Sequence, residues 1–295
     1  MKLSIYSKEK VVGYLFILAP IFQFFIFALG PMVYSFYASF TDWDGLTKPS
    51  FIGLDNYKEI ILDDRFWKAL YNTVFYMVGI PIGMFLSIIL AILMNQKLKG
   101  ISIYRVVYYI PNISSLVAIA ILWQWIYNPD YGILNNMLYK LFHIQGPNWL
   151  YNTTWVKPAI IVVTIWRGLG YSTLLYLAGL QNIPHVYYEA AEIDGANSLK
   201  KFIYITLPLL TPTSFYIVVT SCIGGLQMFV EPQILANNGG PEYSAATVVF
   251  YLWQKAFINY DMGYACAVAW ILGVIIFIVT LIQFKYANKW VYGMD

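Results

Sequence analysis

Few side chains in this 295-residue chain could do chemistry, and they fall in three places. The first is Arg167, the one formal charge inside the otherwise apolar run Pro158–Leu180. An arginine so placed either bonds interior carbonyls, here near Gly168 and Gly170, or marks a translocation pathway. Both readings stand at this point. The second is a polar patch of Gln227 and Ser221 beside the Gly224-Gly225 pair, where the backbone can kink or approach a neighbour closely. Gln227 suits either a helix–helix hydrogen bond or a bond to a passing solute. The third is the polar stretch 182–208 between two apolar runs. No G-x-x-x-x-G-K-[ST] phosphate loop occurs, and neither a Ser/His/Asp arrangement nor a pair of catalytic carboxylates is discernible. His143 and His185 lack metal-ligand spacing. Cys222 and Cys266 sit in apolar runs and read as small apolar residues. Nothing here calls for a metal, a cofactor or catalysis.

The elements that must position these residues are set by composition. Hydrophobic residues make up 60% of the chain and charged residues 11%, against roughly 45–50% and about 25% in an average globular protein. Too little charge is present to cover a water-facing surface of this size. The net charge of +3 is small and dispersed, which argues against nucleic acid. An integral membrane protein remains. A spanning helix needs about 20 apolar residues, and charge-free intervals place helices over roughly Val12–Phe36, Ala69–Met94, Val106–Tyr127, Leu209–Val230 and Met262–Phe284. Pro158–Leu180, interrupted only by Arg167, is the sixth. The first run is about twice as long as a signal-peptide core and lacks a cleavage site, so it reads as a retained helix.

Six spans put both termini on one side. With the termini inside, the inner segments hold ten Lys/Arg in 58 residues and the outer ones seven in 90, in the sense of the positive-inside rule. The inner segment Gln96-Lys97-Leu98-Lys99-Gly100 predicts a tight turn. In the outer segment 128–157, Ile133, Leu134, Met137, Leu138 and Leu141 form a helical stripe suited to the membrane surface. Trp123 and Trp125 suit an interfacial aromatic belt. Asn238-Gly239-Gly240-Pro241 is a turn signal, and the apolar Ala245–Phe257 is short enough to read as interfacial or re-entrant.

Residues 182–208 predict a helix–turn–helix outside the bilayer. Asn182 is a candidate cap, Pro184 suits a first turn, Gly195 suits a helix end at positive φ, and Ser198 is positioned to cap the next helix. Val186, Ala190 and Ile193 give the short helix one apolar face, which usually packs on the same protein or on lipid and less commonly inserts into a partner's groove.

This stretch resembles a family. Glu189-Ala190-Ala191, then Gly195, then Ile205-x-Leu207-Pro208, with Asp194, Ala196 and Phe202, is similar to the EAA loop of permease subunits in binding-protein-dependent ABC importers. Tyr176–Pro184, the Gly-Gly-Pro turn with Thr247, and Gly53-Leu-Asp-Asn-Tyr57 with Ala69-Leu-Tyr-Asn-Thr73 resemble the carbohydrate-uptake, maltose/glycerol-phosphate-type branch. The resemblance implies an all-α membrane protein with six transmembrane helices and the type I ABC importer permease fold. It divides the chain into an N-terminal segment, 1–68, and a transmembrane domain, 69–290, containing the coupling loop. It implies import of a sugar or oligosaccharide, and several partners: a second homologous permease, two cytoplasmic ATP-binding subunits and an extracytoplasmic solute-binding protein. Glu189, Ala190, Ala191, Asp194 and Gly195 would contact the ATPase, while Arg167, Gln227 and Ser221 are candidates for the substrate path. The expected location is the inner (cytoplasmic) cell membrane with both termini cytoplasmic, and ATP hydrolysis belongs to another chain. The rival reading is an ion-coupled secondary transporter, which commonly keeps a mid-span carboxylate; none is present in the six runs.

Overall fold

The computed structural model describes residues 5–96 and 100–293, with side chains for Lys10, 12–96 and 100–293. The expected turn at Lys97-Leu98-Lys99 lies outside them. Among the described residues the fold is helical, and the only extended pairing is an isolated bridge between Thr41 and Phe51. The helices are α1 (Val12–Ala38), α2 (Asp55–Leu62), α3 (Asp64–Met94), α4 (Ile101–Ile113), α5 (Leu116–Ile126) and α6 (Ile133–Phe142). They continue as α7 (Val156–Gln181), α8 (His185–Ile193), α9 (Ser198–Leu209), α10 (Thr211–Leu226), α11 (Val248–Ile258) and α12 (Met262–Ala287). Four of these, α1, α3, α7 and α12, are individually long and apolar enough to cross a membrane.

The third expected span is not a single straight helix, and the fifth is shorter than expected. Within the third, α4 and α5 meet at 100°. Pro111 removes a backbone donor near the end of α4, Ser114 is extended (φ −74°, ψ 152°), and Ser115 starts a new helix. Counting apolar residues cannot register such a bend, because both arms are equally apolar. The fifth is the single helix α10, which meets α9 at 58° around Leu210, between Pro208 and Pro212, and stops at Leu226 rather than Val230. Wide π-helical turns at Phe25–Leu29 and Phe202–Thr206 each lie just before a proline, Pro31 or Pro208. The wider turn accommodates the ring that an α-helical turn would clash with.

The chain forms two compact units. One comprises Met1–Asp63 with Leu252–Ile271. The loop after α1 is tied by side chains: Asn56 Nδ2 donates to the Ser39 and Thr41 carbonyls (3.0 and 2.8 Å), and Tyr57 bonds Ser39 at 2.7 Å. Asp44 accepts from the backbone N–H groups of Leu46 and Thr47, which lowers its carboxyl below the ordinary value.

The second unit, Asp64–Tyr251 with Leu272–Asp295, positions the candidate site. Its centre is the packing of α3 on α7, where Gly79 and Gly83 lie against Ile161 and Ile165. At Gly170 the helices come closer still: a Cβ there would sit 2.1 Å from the Tyr108 carbonyl oxygen of α4. Glycine at 170 is therefore a packing requirement. Val156, Ile160 and Val163 of α7 join Ile119, Tyr127, Leu235 and Ala245 in one buried cluster; Ala91, Tyr176, Leu177 and Leu210 form another. Trp123 packs on the first cluster beside Tyr127 and Trp166 instead of standing in an outer belt, whereas Trp125 is exposed. The helical stripe at 128–157 is α6, with Leu134 packed inward and Ile133, Met137 and Leu141 exposed. The Gly-Gly-Pro turn is latched to α3. Asn72 Nδ2 donates to the Ala246 carbonyl (3.0 Å), Thr73 Oγ1 accepts from the Val248 N–H (3.0 Å), and Tyr76 donates to Ala245 (3.1 Å). Thr247 Oγ1 in turn donates to the Met228 carbonyl at 2.6 Å.

Candidate functional site

Two places carry the residues singled out by sequence. The first is a cavity of about 440 Å³ inside the second unit, walled by α3, α7, α10 and the chain that follows α10. Arg167, Ser221 and Gln227 all line it. Arg167 comes from the middle of α7. Its Nε is buried without a hydrogen-bond partner, so the interior-carbonyl reading does not hold for that atom. Ser221 lies on α10, and Gln227 is where that helix ends and the chain runs non-helically to Phe229. The two glycines before it differ in role. A Cβ on Gly225 would meet the Met77 side chain at 2.6 Å, while one on Gly224 would meet nothing within 4 Å.

Of the two charged residues that line the cavity, sequence reading missed Glu231. It directly follows the apolar run Leu209–Val230 in the sequence. In the structure it is 4% exposed and starts the turn Glu231–Leu235. That turn is held down by buried Leu235 and Ala236 and by Gln124, whose amide donates to the Ile234 carbonyl. No local signal distinguishes a carboxylate at a water-facing helix end from one folded back into a cavity. The turn residues that follow it, 237–241, are the available hint that the chain reverses there.

The second place is the 182–208 loop. The short helix α8 ends in a Schellman motif: the Ala196 N–H donates to Ala191 (2.8 Å) and the Gly195 N–H to Glu192 (3.0 Å), with Gly195 at φ 70°. Asn197, rather than Ser198, caps the next helix, its side chain accepting from the Lys200 N–H at 2.9 Å; Asn182 caps the C-terminal end of α7. Lys201 bonds Glu192 at 2.7 Å and holds its carboxyl below the ordinary value. Tyr188 anchors α8, packing on the second cluster and bonding Thr206 at 2.9 Å. Of the two expected covers for its apolar face, the same chain or lipid, the chain supplies none: Val186 is 61% and Ile193 87% exposed, and Glu189 and Ala190 are exposed with them. Ala191 is half-buried and Asp194 exposed. The loop is thus a braced hairpin that presents a small, mostly apolar helix outward.

Residues 79–291 match the family described as binding-protein-dependent transport system inner membrane components. The chain belongs to this family. It is 39% identical over 289 residues to the probable ABC transporter permease protein YesP of Bacillus subtilis, covering 97% of this chain and 93% of that protein. It is 36% identical over 294 residues to the arabinooligosaccharides transport system permease protein AraP of the same organism, covering 97% and 91%. A bacterial alginate ABC transporter, solved in complex with an alginate pentasaccharide-bound periplasmic protein, contains a chain of the same fold. That chain aligns with a TM-score of 0.84 at 24% identity, over 96% of both chains. The permease is therefore an all-α, multi-pass membrane protein with the type I ABC importer permease fold, and a transport component rather than an enzyme. The bent pairs α4–α5 and α9–α10 bring its candidate spans from four to six.

Proposed function

We propose that this permease is one half of the membrane channel of an ATP-driven importer for a sugar or oligosaccharide. It would pair with a second, similar permease, two cytoplasmic ATP-binding subunits and an extracytoplasmic solute-binding protein, in the cytoplasmic membrane with both termini inside. The observation that carries the reading is the braced α8 hairpin: its outward face has no cover within the chain, yet its ends are fixed by the Schellman motif, the Asn197 cap and Tyr188. An apolar helix face left uncovered on a rigid support suits insertion into a partner's groove. Glu189, Ala190, Ala191, Asp194 and Gly195 are the contact residues, and movement of α8 would be passed through Tyr188 to α9 and so to the cavity wall on α10. Arg167, Ser221 and Gln227 line the path that the solute takes. The division into an N-terminal segment, 1–68, and a transmembrane domain, 69–290, belongs to the same reading. The sugar class rests on relatives such as the arabinooligosaccharide permease.

The test is uptake into vesicles containing the complete importer and its solute-binding protein. Uptake of labelled oligosaccharides should require ATP and all subunits. Glu189→Lys should leave the permease inserted at wild-type level but lower uptake at least tenfold and weaken ATPase retention on the membrane. Wild-type uptake by Glu189→Lys removes the coupling role. Uptake by this chain alone, driven by an ion gradient, would replace the whole reading with a secondary transporter.

A further inference from the structure

The cavity wall carries a carboxylate and a guanidinium that face the same space without meeting. Glu231 is buried at 4% exposure; Arg167, from α7, has its Nε buried and unpartnered. The two interact electrostatically, but no ion pair within 4.0 Å joins them among the described residues. Separated charges in a cavity are costly unless a polar group completes their hydrogen bonds. A group that serves both must accept from the guanidinium and donate to the carboxylate. A hydroxyl does both; an ionised carboxylate only accepts, and it would meet Glu231 as a like charge. The rest of the polar lining, which includes Ser87, Thr164, Tyr171, Thr220, Ser221 and Gln227, is uncharged. Arg167 and Glu231 thus offset each other in a cavity that otherwise carries no formal charge.

We propose that Arg167 and Glu231 are a specificity-determining pair that admits an uncharged, hydroxyl-bearing solute and turns away one bearing a carboxylate. The proposal rests on the reading of this cavity as the solute path and adds the charge class that the path accepts. Arg167 alone would make the cavity attractive to acidic saccharides. Glu231 cancels that attraction, while its oxygens offer acceptors for a hydroxyl held by the guanidinium.

The experiment uses the complete importer in vesicles, with Cys222→Ser and Cys266→Ser removing the native thiols and Ser221→Cys placing a reporter in the cavity. Modification rates are measured with neutral hydroxyethyl, anionic sulfonatoethyl and cationic trimethylammonioethyl methanethiosulfonates. The neutral reagent should react readily. Adding Glu231→Gln should raise the anionic-to-neutral rate ratio about tenfold, the size of one unscreened charge in a half-buried site. Arg167→Gln should instead raise the cationic-to-neutral ratio, and Glu231→Asp, which keeps the charge, should leave the ratios within about twofold of the parent. If the neutral reagent fails to reach the thiol, the pathway reading falls and this inference with it. If it reacts but Glu231→Gln leaves the anionic ratio unchanged, the pathway stands and the charge-selective pair is overturned.

Discussion

Gly195 separates backbone strain from charge at the α8 hairpin. Its φ of 70° lies in the left-handed region, and a Cβ added there would meet nothing within 4 Å. An alanine therefore incurs only the conformational penalty, about 1–2 kcal/mol for an ordinary L-residue. Asparagine tolerates this region and should cost a few tenths. The strain falls on the Schellman bonds, from Ala196 to Ala191 and from Gly195 to Glu192, because these exist only while residue 195 is left-handed. A loss of about 1.4 kcal/mol multiplies local opening tenfold. Hydrogen exchange on the complete importer should thus show the amide of Ala196 exchanging about tenfold faster in Gly195→Ala and nearly unchanged in Gly195→Asn. Uptake should follow the same order. Gly195→Asp should keep near-normal exchange, since aspartate also tolerates the left-handed region, but lose uptake through the added charge beside Glu192 and Asp194. Equal exchange in the alanine and asparagine variants would refute the argument that backbone geometry at 195 holds the hairpin.

Two further outcomes follow from local geometry. Gly170→Ala should lower the thermal midpoint of the purified permease by several degrees, consistent with about 1–3 kcal/mol of overpacking against the Tyr108 carbonyl, while Gly224→Ala should be near neutral. Lys201 depresses the Glu192 carboxyl, so the folded hairpin binds that proton less readily than the unfolded chain. Its contribution is therefore fully present above the ordinary value of 4.5 and disappears as the pH falls through the depressed folded value. Hairpin protection measured by exchange should weaken over that acid range in the parent and lose this pH dependence in Lys201→Met.

Much of this architecture is legible in the chain because lipid and water impose opposite demands. Five charge-free apolar runs and the one interrupted by Arg167 identify the membrane-crossing material, and the polar 182–208 stretch identifies its most regular interruption. Direction is not legible in the same way. The 100° bend at Ser114-Ser115 depends on Pro111 and on how α4 must lie to bring the Tyr108 carbonyl against Gly170, a contact 62 residues apart in sequence. The one-residue error at the second helix of the hairpin has a different origin. Asn197 and Ser198 are both competent caps, and the choice is made by where the Schellman turn releases the chain, after Ala196.

Glu231 is the most instructive miss, because a charge at the end of an apolar run has an opposite ordinary meaning. A carboxylate closing an apolar run ordinarily marks the return to water, and hydropathy alone assigns it there. Here α10 ends five residues earlier, at Leu226, and the chain folds back under the cover of Leu235, Ala236 and Gln124. That reversal is enforced from outside the segment: Asn72, Thr73 and Tyr76 of α3 grip residues 245–248, and Thr247 grips Met228, so the chain between them is compelled to turn inward. The motif residues at 72–73 and 247, which sequence likeness flagged without a role, are thus the clamp that carries a charge from the edge of a span into the cavity. It follows that disrupting the clamp should affect charge selectivity as well as stability, since Glu231 reaches the cavity only while the turn is held.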